Sequence, residues 1–136
     1  MQFEKITFPA EVEVHRHGKY EWEVLEDFVV VIRTVGADQD VTLTVPKGFI
    51  TDFASVPRVF WNIFPPFGEY TEAAVAHDYL YRHGGVIPGW VKLTKDECDE
   101  VFLKGMESLG VGTVTRHIMW TAVAAFGKGS FKDDGK

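Results

Sequence analysis

The stretch AAVAHDYLYRHGG, residues 73–85, predicts a buried helix in the middle of the chain. Its small and apolar residues recur at the spacing of one helical face, and His77 lies on that same face. The two glycines at its end are typical of a helix terminus. His77 and Asp78 are unusual choices for a helix that only packs, so the stretch also predicts a polar site.

Two more helices are predicted on the C-terminal side of this stretch. Thr71 has the residue type of an N-cap for the first helix. Thr94 and Glu97 have the spacing of a capping box, which opens the second helix. Gly127 follows the third helix and ends it. The predicted helices cover about 71–83, 94–109 and 113–126.

The N-terminal side carries strand signals instead. Short alternating or β-branched runs predict four strands between about 10 and 46. Consecutive short strands favour an antiparallel meander with one face in water. The segment 47–70, rich in proline and aromatic residues, is predicted to be a loop with one short helical turn. We therefore expect a single α+β domain over 1–127, in which a β-meander and a loop precede three helices, and then a polar, flexible tail at 128–136.

Composition narrows the class of protein. Hydrophobic residues make up 46% of the chain, which favours a folded domain over a disordered one. The net charge of −6 argues against a general nucleic-acid-binding protein. The N-terminus lacks the layout of a secretory signal peptide, and no apolar run approaches the roughly 18 residues of a transmembrane helix. The single cysteine, Cys98, suits a reducing compartment.

A polar cluster is predicted between the first two helices. On the second helix Asp99 shares a stripe with apolar residues, and a buried carboxylate needs a partner. If the two helices pack antiparallel, Asp99 meets His77 and accepts a hydrogen bond from one ring nitrogen. The other nitrogen is then left as a base, and Tyr81 donates to the same carboxylate. The alternative is a hydrogen-bonded network that serves the core alone.

The loop before the first helix holds a second set of polar residues. Asp52, Ser55 and Arg58 follow one another at three-residue spacing in the segment GFITDFASVPR. In one interpretation they form a turn in which Asp52 and Ser55 cap backbone amides. In the other, the loop covers a pocket beside His77 and binds substrate there, with Arg58 holding an anionic head group.

Four motifs follow in order along the chain, and they are GFITDFASVPR, AAVAHDYLYRHGG, DECDEVF and AAFG. Together they resemble a phage and prophage family that is known only as a domain of unknown function. The resemblance covers roughly residues 42–127 and implies a viral or prophage origin. It also implies a place in the host cytoplasm or the virion, with phage structural proteins or host proteins as partners.

A narrower resemblance concerns the helical core. His77, Asp78 and Tyr81, followed by Asp99, resemble the site of sn-2-cleaving phospholipases, most closely the form carried in parvovirus capsids. The resemblance implies that His77 activates water, Asp99 orients His77, and Tyr81 supports Asp99. It implies further that Asp78 binds calcium and that a lipid or another ester is the substrate.

The chain departs from those phospholipases where they hold calcium. They use a glycine-rich loop upstream of the helix, whereas NIFPPFGEY has one glycine, Gly68. Asp52 is a weaker candidate for an additional calcium ligand. A zinc hydrolase is less favoured, since no third histidine or cysteine stands at ligand spacing.

Two functions follow from these residues. The first is a phage-encoded hydrolase that activates water for ester hydrolysis at His77 and Asp99. The second is a non-catalytic virion or host-interaction protein in which the same network is structural. The hydrolase requires a pocket beside His77 with Arg58 or Asp52 at its rim.

Overall fold

A computed structural model describes residues 1–53, 56, 58–61 and 68–132. The predicted α+β class is confirmed, with antiparallel strands first and three helices after them. A 3-10 turn at Arg58–Phe60 is the short helical turn predicted in the loop. The strands are β1 (Phe3–Thr7), β2 (Val14–Gly18), β3 (Glu21–Val24), β4 (Phe28–Thr34), β5 (Val41–Val45) and β6 (Ile50–Thr51). The helices are α1 (Thr71–Arg82), α2 (Lys95–Ser108) and α3 (Thr113–Phe126).

The strands form two sheets and not one meander. One sheet has the order β1-β4-β5 and the other β2-β3-β6, and all pairs are antiparallel. Strands β1 and β6 lie outside the predicted range of 10–46. A register shift between Phe3 and Lys5 breaks the alternation of β1, so that Phe3 and Ile6 are its buried residues. Strand β6 has only two residues, too few to show any period.

The central strand β4 joins the first sheet to the core. Phe28, Val30 and Ile32 are buried, and the residues between them are half-buried. This alternation is the period-2 pattern of a strand with one face against the core. Helix α2 lies close to the edge strand β1, where the Ser108 hydroxyl donates a hydrogen bond to the Ile6 carbonyl. The sheet therefore supports the helices on which the polar residues stand.

Helices α1 and α2 pack antiparallel, as predicted. Gly105, near the end of α2, lies against Ala73 at the start of α1, where an added Cβ would come within 3.2 Å of the alanine Cβ. At the other end, Tyr81 of α1 meets Asp99 of α2. The glycine permits the close approach because it has no side chain.

A capping box explains where α2 begins, and a turn held by a threonine precedes α1. The capping box of Thr94 and Glu97 is present in both directions, which confirms the predicted start of α2. The assignment of Thr71 as an N-cap is wrong by one residue, since the cap position is Tyr70. The Thr71 hydroxyl instead accepts from the Gly68 amide at 2.8 Å and donates to the Gly68 carbonyl at 3.0 Å. The threonine thus fixes the turn before the helix.

The residues after α3 lie on α1. Gly127 ends α3 as predicted, and a 3-10 turn follows at Lys128–Ser130. The Phe131 ring meets the Tyr81 ring edge-on with centroids 5.3 Å apart, and the Lys132 amide donates to the Tyr81 carbonyl at 3.0 Å. Residues 128–132 of the predicted tail therefore have contacts with the domain, and 133–136 lie outside the described residues. Within the described chain, no helix has the length and apolar character of a membrane span.

Candidate functional site

The predicted meeting of the first two helices at a polar cluster is confirmed. His77 Nε2 lies 2.8 Å from Asp99 Oδ1, and the Tyr81 hydroxyl donates to the same oxygen. His77 and Tyr81 have no exposed surface, and Asp99 is 1% exposed. The three side chains form one buried network between α1 and α2.

Lys95 is a fourth member that the sequence analysis missed. Its Nζ donates to Asp99 Oδ2 at 2.8 Å. The same ammonium donates to the carbonyls of Val123 and Ala124, near the end of α3, at 3.2 Å each. The signal in the sequence was the i,i+4 spacing of Lys95 and Asp99 on one helix. Through Lys95 the network reaches all three helices.

The protonation of the pair follows from its surroundings. Complete burial lowers the pKa of His77, and the hydrogen bond to Asp99 opposes this shift without reversing it. Burial would raise the pKa of Asp99, but the hydrogen bonds from His77, Lys95 and Tyr81 outweigh burial and lower it. A neutral ring beside a charged carboxylate means that Nε2 carries the proton and donates to Asp99. Asp99 is then balanced by the ammonium of Lys95.

The His77 ring is enclosed by other rings. The Tyr81 ring lies 4.1 Å from it between centroids, and the Phe102 ring stacks at 4.8 Å. Five cavities along the described residues are lined by other side chains than His77. The His77 side chain itself has no exposed surface. In this geometry the imidazole is neutral and sealed.

The loop motif packs on α1, but at Asp78 and Arg82. The Thr51 hydroxyl donates to Asp78 Oδ2 at 2.5 Å, and Arg82 donates to Asp52 Oδ1 at 2.8 Å. Asp78 is 1% exposed, and it also interacts electrostatically with Arg82. The contact of Thr51 was not predicted, because no local spacing in the sequence links the two-residue strand β6 to α1.

The predicted substrate-binding residues that the structure describes, Asp52 and Arg58, have different partners. Asp52 is paired with Arg82, as described above. Arg58 is exposed and its guanidinium lies 4.1 Å from the centroid of the Tyr20 ring, a cation–π contact. Ser55 lies outside the described residues.

Next to Asp52 the backbone adopts an uncommon conformation. Phe53 has a φ of 52°, in the left-handed region that bulky side chains seldom occupy. Its ring is fully buried against Trp22, with ring centroids 5.3 Å apart. Its amide donates to the Thr51 hydroxyl at 3.2 Å. Burial and this hydrogen bond hold the residue in its strained conformation.

A different kind of feature lies on the outside of α3. A groove of about 420 Å³ is open to solvent there, and its lining is almost entirely apolar. The lining includes large side chains with much exposed surface, such as Val114 at 72% and Phe126 at 66%. Apolar patches of this kind are typical of interaction sites. The residues that line it are Phe60, Val114, His117, Ile118, Thr121, Ala122 and Phe126.

Comparison with known proteins confirms that three of the four motifs belong to a family of unknown function. The chain is 35% identical over 85 residues to the uncharacterized protein y4jT of Sinorhizobium fredii. The match covers 61% of this chain but 23% of that relative, so the chain spans less than a quarter of its length. No solved structure matches the chain. Residues 22–123 match the family described as protein of unknown function DUF1353. Since this is well over half of its length, the chain belongs to that family.

Proposed function

We propose that this protein is a non-catalytic binding domain whose buried His77–Asp99 network is structural. The observation that carries the proposal is the contrast between two parts of the molecule. The most polar cluster, around His77, is sealed inside the helices, whereas the outer side of α3 exposes an apolar groove. Polar groups that act on a substrate must be reachable from solvent. Apolar groups that only support a core have no need of exposed surface.

The contacts of the network suit a structural role. Asp99 Oδ1 accepts from His77 and Tyr81 of α1, and Asp99 Oδ2 accepts from Lys95. Both oxygens of the carboxylate are thereby used inside the protein. Lys95 adds hydrogen bonds to carbonyls in the last turn of α3, where a cation also complements the helix dipole. The network thus fixes the positions of three helices relative to one another.

The resemblance of the motifs to a phage and prophage family adds to this proposal where the domain would act. In a phage or its host, a binding domain of this kind would contact a virion component or a host protein. The partner would meet the apolar side of α3, since His117 and Thr121 are the polar members among the described residues that line the groove.

A hydrolase is the second candidate, and one observation favours it. The pairing of His77 Nε2 with Asp99 is the arrangement that the phospholipase resemblance implies, and the lowered pKa keeps the ring neutral, as a general base must be. A water and an ester carbonyl would have to reach Nδ1 for this activity.

The hydrolase candidate carries a separate prediction, which is that Asp78 binds calcium. The surroundings of Asp78 do not fit a calcium ligand, because its Oδ2 accepts from Thr51 and the cation Arg82 lies near. Calcium requires six to eight oxygen ligands. The described residues contain no group of three or more histidine, cysteine or acidic side chains that would hold a metal. A melting curve with millimolar calcium that equals the curve with chelator is the expected result.

The test of the proposed function is a hydrolysis assay on the purified chain. Phospholipid vesicles and an activated ester are supplied with calcium, and release of fatty acid or leaving group is followed. We expect the wild type and His77→Gln to hydrolyse each substrate at the same rate. With phospholipid, we expect both rates to equal the rate in buffer without protein. Hydrolysis that is present in the wild type and lost in a folded His77→Gln variant would overturn the proposal in favour of the hydrolase.

A further inference from the structure

The exposed face of α3 carries a regular stripe. Val114, Ile118, Thr121 and Ala125 are all exposed and follow one another at intervals of four, three and four residues. This spacing places them on one side of the helix. We call these four residues the α3 stripe. Its first two members are large and its last two are small.

We propose that a second copy of this chain covers the α3 stripe, with the two α3 helices packed antiparallel about a two-fold axis. This inference rests on the proposed function, since it names the partner of the apolar face. An isologous interface requires a surface that is complementary to itself. The intervals of the α3 stripe read the same in both directions, so its four positions can face one another across a two-fold axis.

The register follows from the spacing. In a two-fold antiparallel pair, Val114 of one copy lies opposite Ala125 of the other, and Ile118 lies opposite Thr121. Each large side chain therefore meets a small one, which permits close packing of the two helices. In a parallel pair large residues would meet large ones and small residues would meet small ones, leaving gaps between Ala125 and its copy.

Charge also favours a second copy over a partner recognised by charge. The chain has a net charge of −6, yet α3 contains no acidic residue. Two acidic chains can approach at this face without placing carboxylates opposite one another. Among the residues that line the groove, His117 is the one ionisable side chain. A strongly charged partner would find few groups to pair with.

Neighbouring apolar residues extend the contact beyond the α3 stripe. Phe126 is 66% exposed and lies over the first turn of the other copy in this register, opposite Thr113. Val59, in the turn beside the groove, is 76% exposed. One helix pair with these additions makes a small interface, so we expect dimerisation to depend on concentration.

Sedimentation of the full chain tests the dimer. The mass is measured from about 1 to 500 micromolar, a range that brackets a weak association. We expect the wild type to pass from monomer to dimer and Val114→Glu to stay a monomer. Val35→Glu is the matched control, because Val35 is 61% exposed at a different site and the change in charge is the same. We expect it to dimerise like the wild type, with circular dichroism confirming that both variants fold.

Cysteine cross-linking tests the antiparallel register. A mixture of Val114→Cys and Ala125→Cys chains should form a disulfide-linked dimer under mild oxidation, whereas Val114→Cys chains alone should form far less. The two positions on one helix are about 16 Å apart, so only the antiparallel register brings them together between copies. Cys98 is buried and does not compete.

The outcomes separate this inference from the proposed function. A wild type that remains monomeric at all concentrations, or cross-linking that is efficient in Val114→Cys alone, would overturn the antiparallel dimer. Failure of the proposed function would show instead as His77-dependent hydrolysis, which is measured independently of the mass.

Discussion

At the scale of single residues, Asp99 connects three polar side chains in the helical core. It accepts hydrogen bonds from His77, Tyr81 and Lys95 while being 1% exposed. A carboxylate with this many donors keeps its charge inside the protein, and the neighbours are left without a full partner when the charge is removed. The network therefore stabilises the fold as long as Asp99 is ionised.

Asp99→Asn should reduce the free energy of unfolding by about 1–3 kcal/mol, because the ammonium of Lys95 loses its charged partner. Asp40→Asn is a control of the same chemistry at the surface, where Asp40 pairs with Arg33 at 2.8 Å and is half exposed. We expect that change to cost about 0–1 kcal/mol. Urea denaturation of the two variants measures the difference, and equal losses would show that Asp99 has no special role.

Acid should weaken the fold through His77. Because burial lowers its pKa, the unfolded chain binds a proton at His77 at a higher pH than the folded chain does. The free energy of unfolding should thus fall as the pH drops below about 6.5, the pKa in the unfolded chain. The pKa of Asp99 is lowered too, so its contribution is complete above about 3.9 and is lost only at still lower pH.

The measurement is denaturation of the wild type and of His77→Gln at several values between about pH 5 and 8. The variant should lose less stability than the wild type between neutral pH and the lower end of this range. Parallel curves for the two proteins would mean that His77 takes up protons equally in the folded and unfolded states.

At the scale of elements, the segment after β6 contains a residue in a conformation that favours glycine. Phe53 has a φ of 52° and a fully buried ring. Loss of the ring should destabilise the protein in either Phe53→Ala or Phe53→Gly. Alanine usually gives the more stable protein of the two, but at a positive φ it also keeps the steric strain.

We therefore expect Phe53→Gly to be more stable than Phe53→Ala by about 1 kcal/mol. Thermal denaturation of both variants under the same conditions checks the order. If the alanine variant is the more stable one, Phe53 does not have the left-handed conformation.

At the scale of the whole molecule, some features were accessible from the sequence and others were not. The contact of His77 with Asp99 was predicted because each is a polar residue on an apolar helical stripe and each needs a partner. The start of α2 was predicted from its capping box, and the end of α3 was predicted from Gly127. These signals are all local, within one or two helical turns.

Features without a local signal in the sequence were not predicted. The contact of Thr51 with Asp78 joins residues 27 positions apart, and no neighbouring residue in the sequence indicates it. Strand β1 is concealed by its register shift. In the sequence, the exposed side of α3 looks like any other apolar helical stripe. Only the packing of the whole domain determines which apolar stripes are buried. The rings of Tyr81 and Phe102 that enclose the imidazole come from two different helices, and their enclosure of it was not predicted.

In the proposed function His77 is a neutral, sealed member of a structural network, and nuclear magnetic resonance of the histidine ring measures both properties. With isotope-labelled histidine, we expect the His77 Nε2–H proton to be visible at neutral pH and to exchange slowly with water, since the side chain has no exposed surface. The ring should also stay neutral below the ordinary histidine pKa of about 6.5. A His77 ring that titrates near that value, with an N–H that exchanges rapidly, would contradict the account, because water would then reach the imidazole as hydrolysis requires.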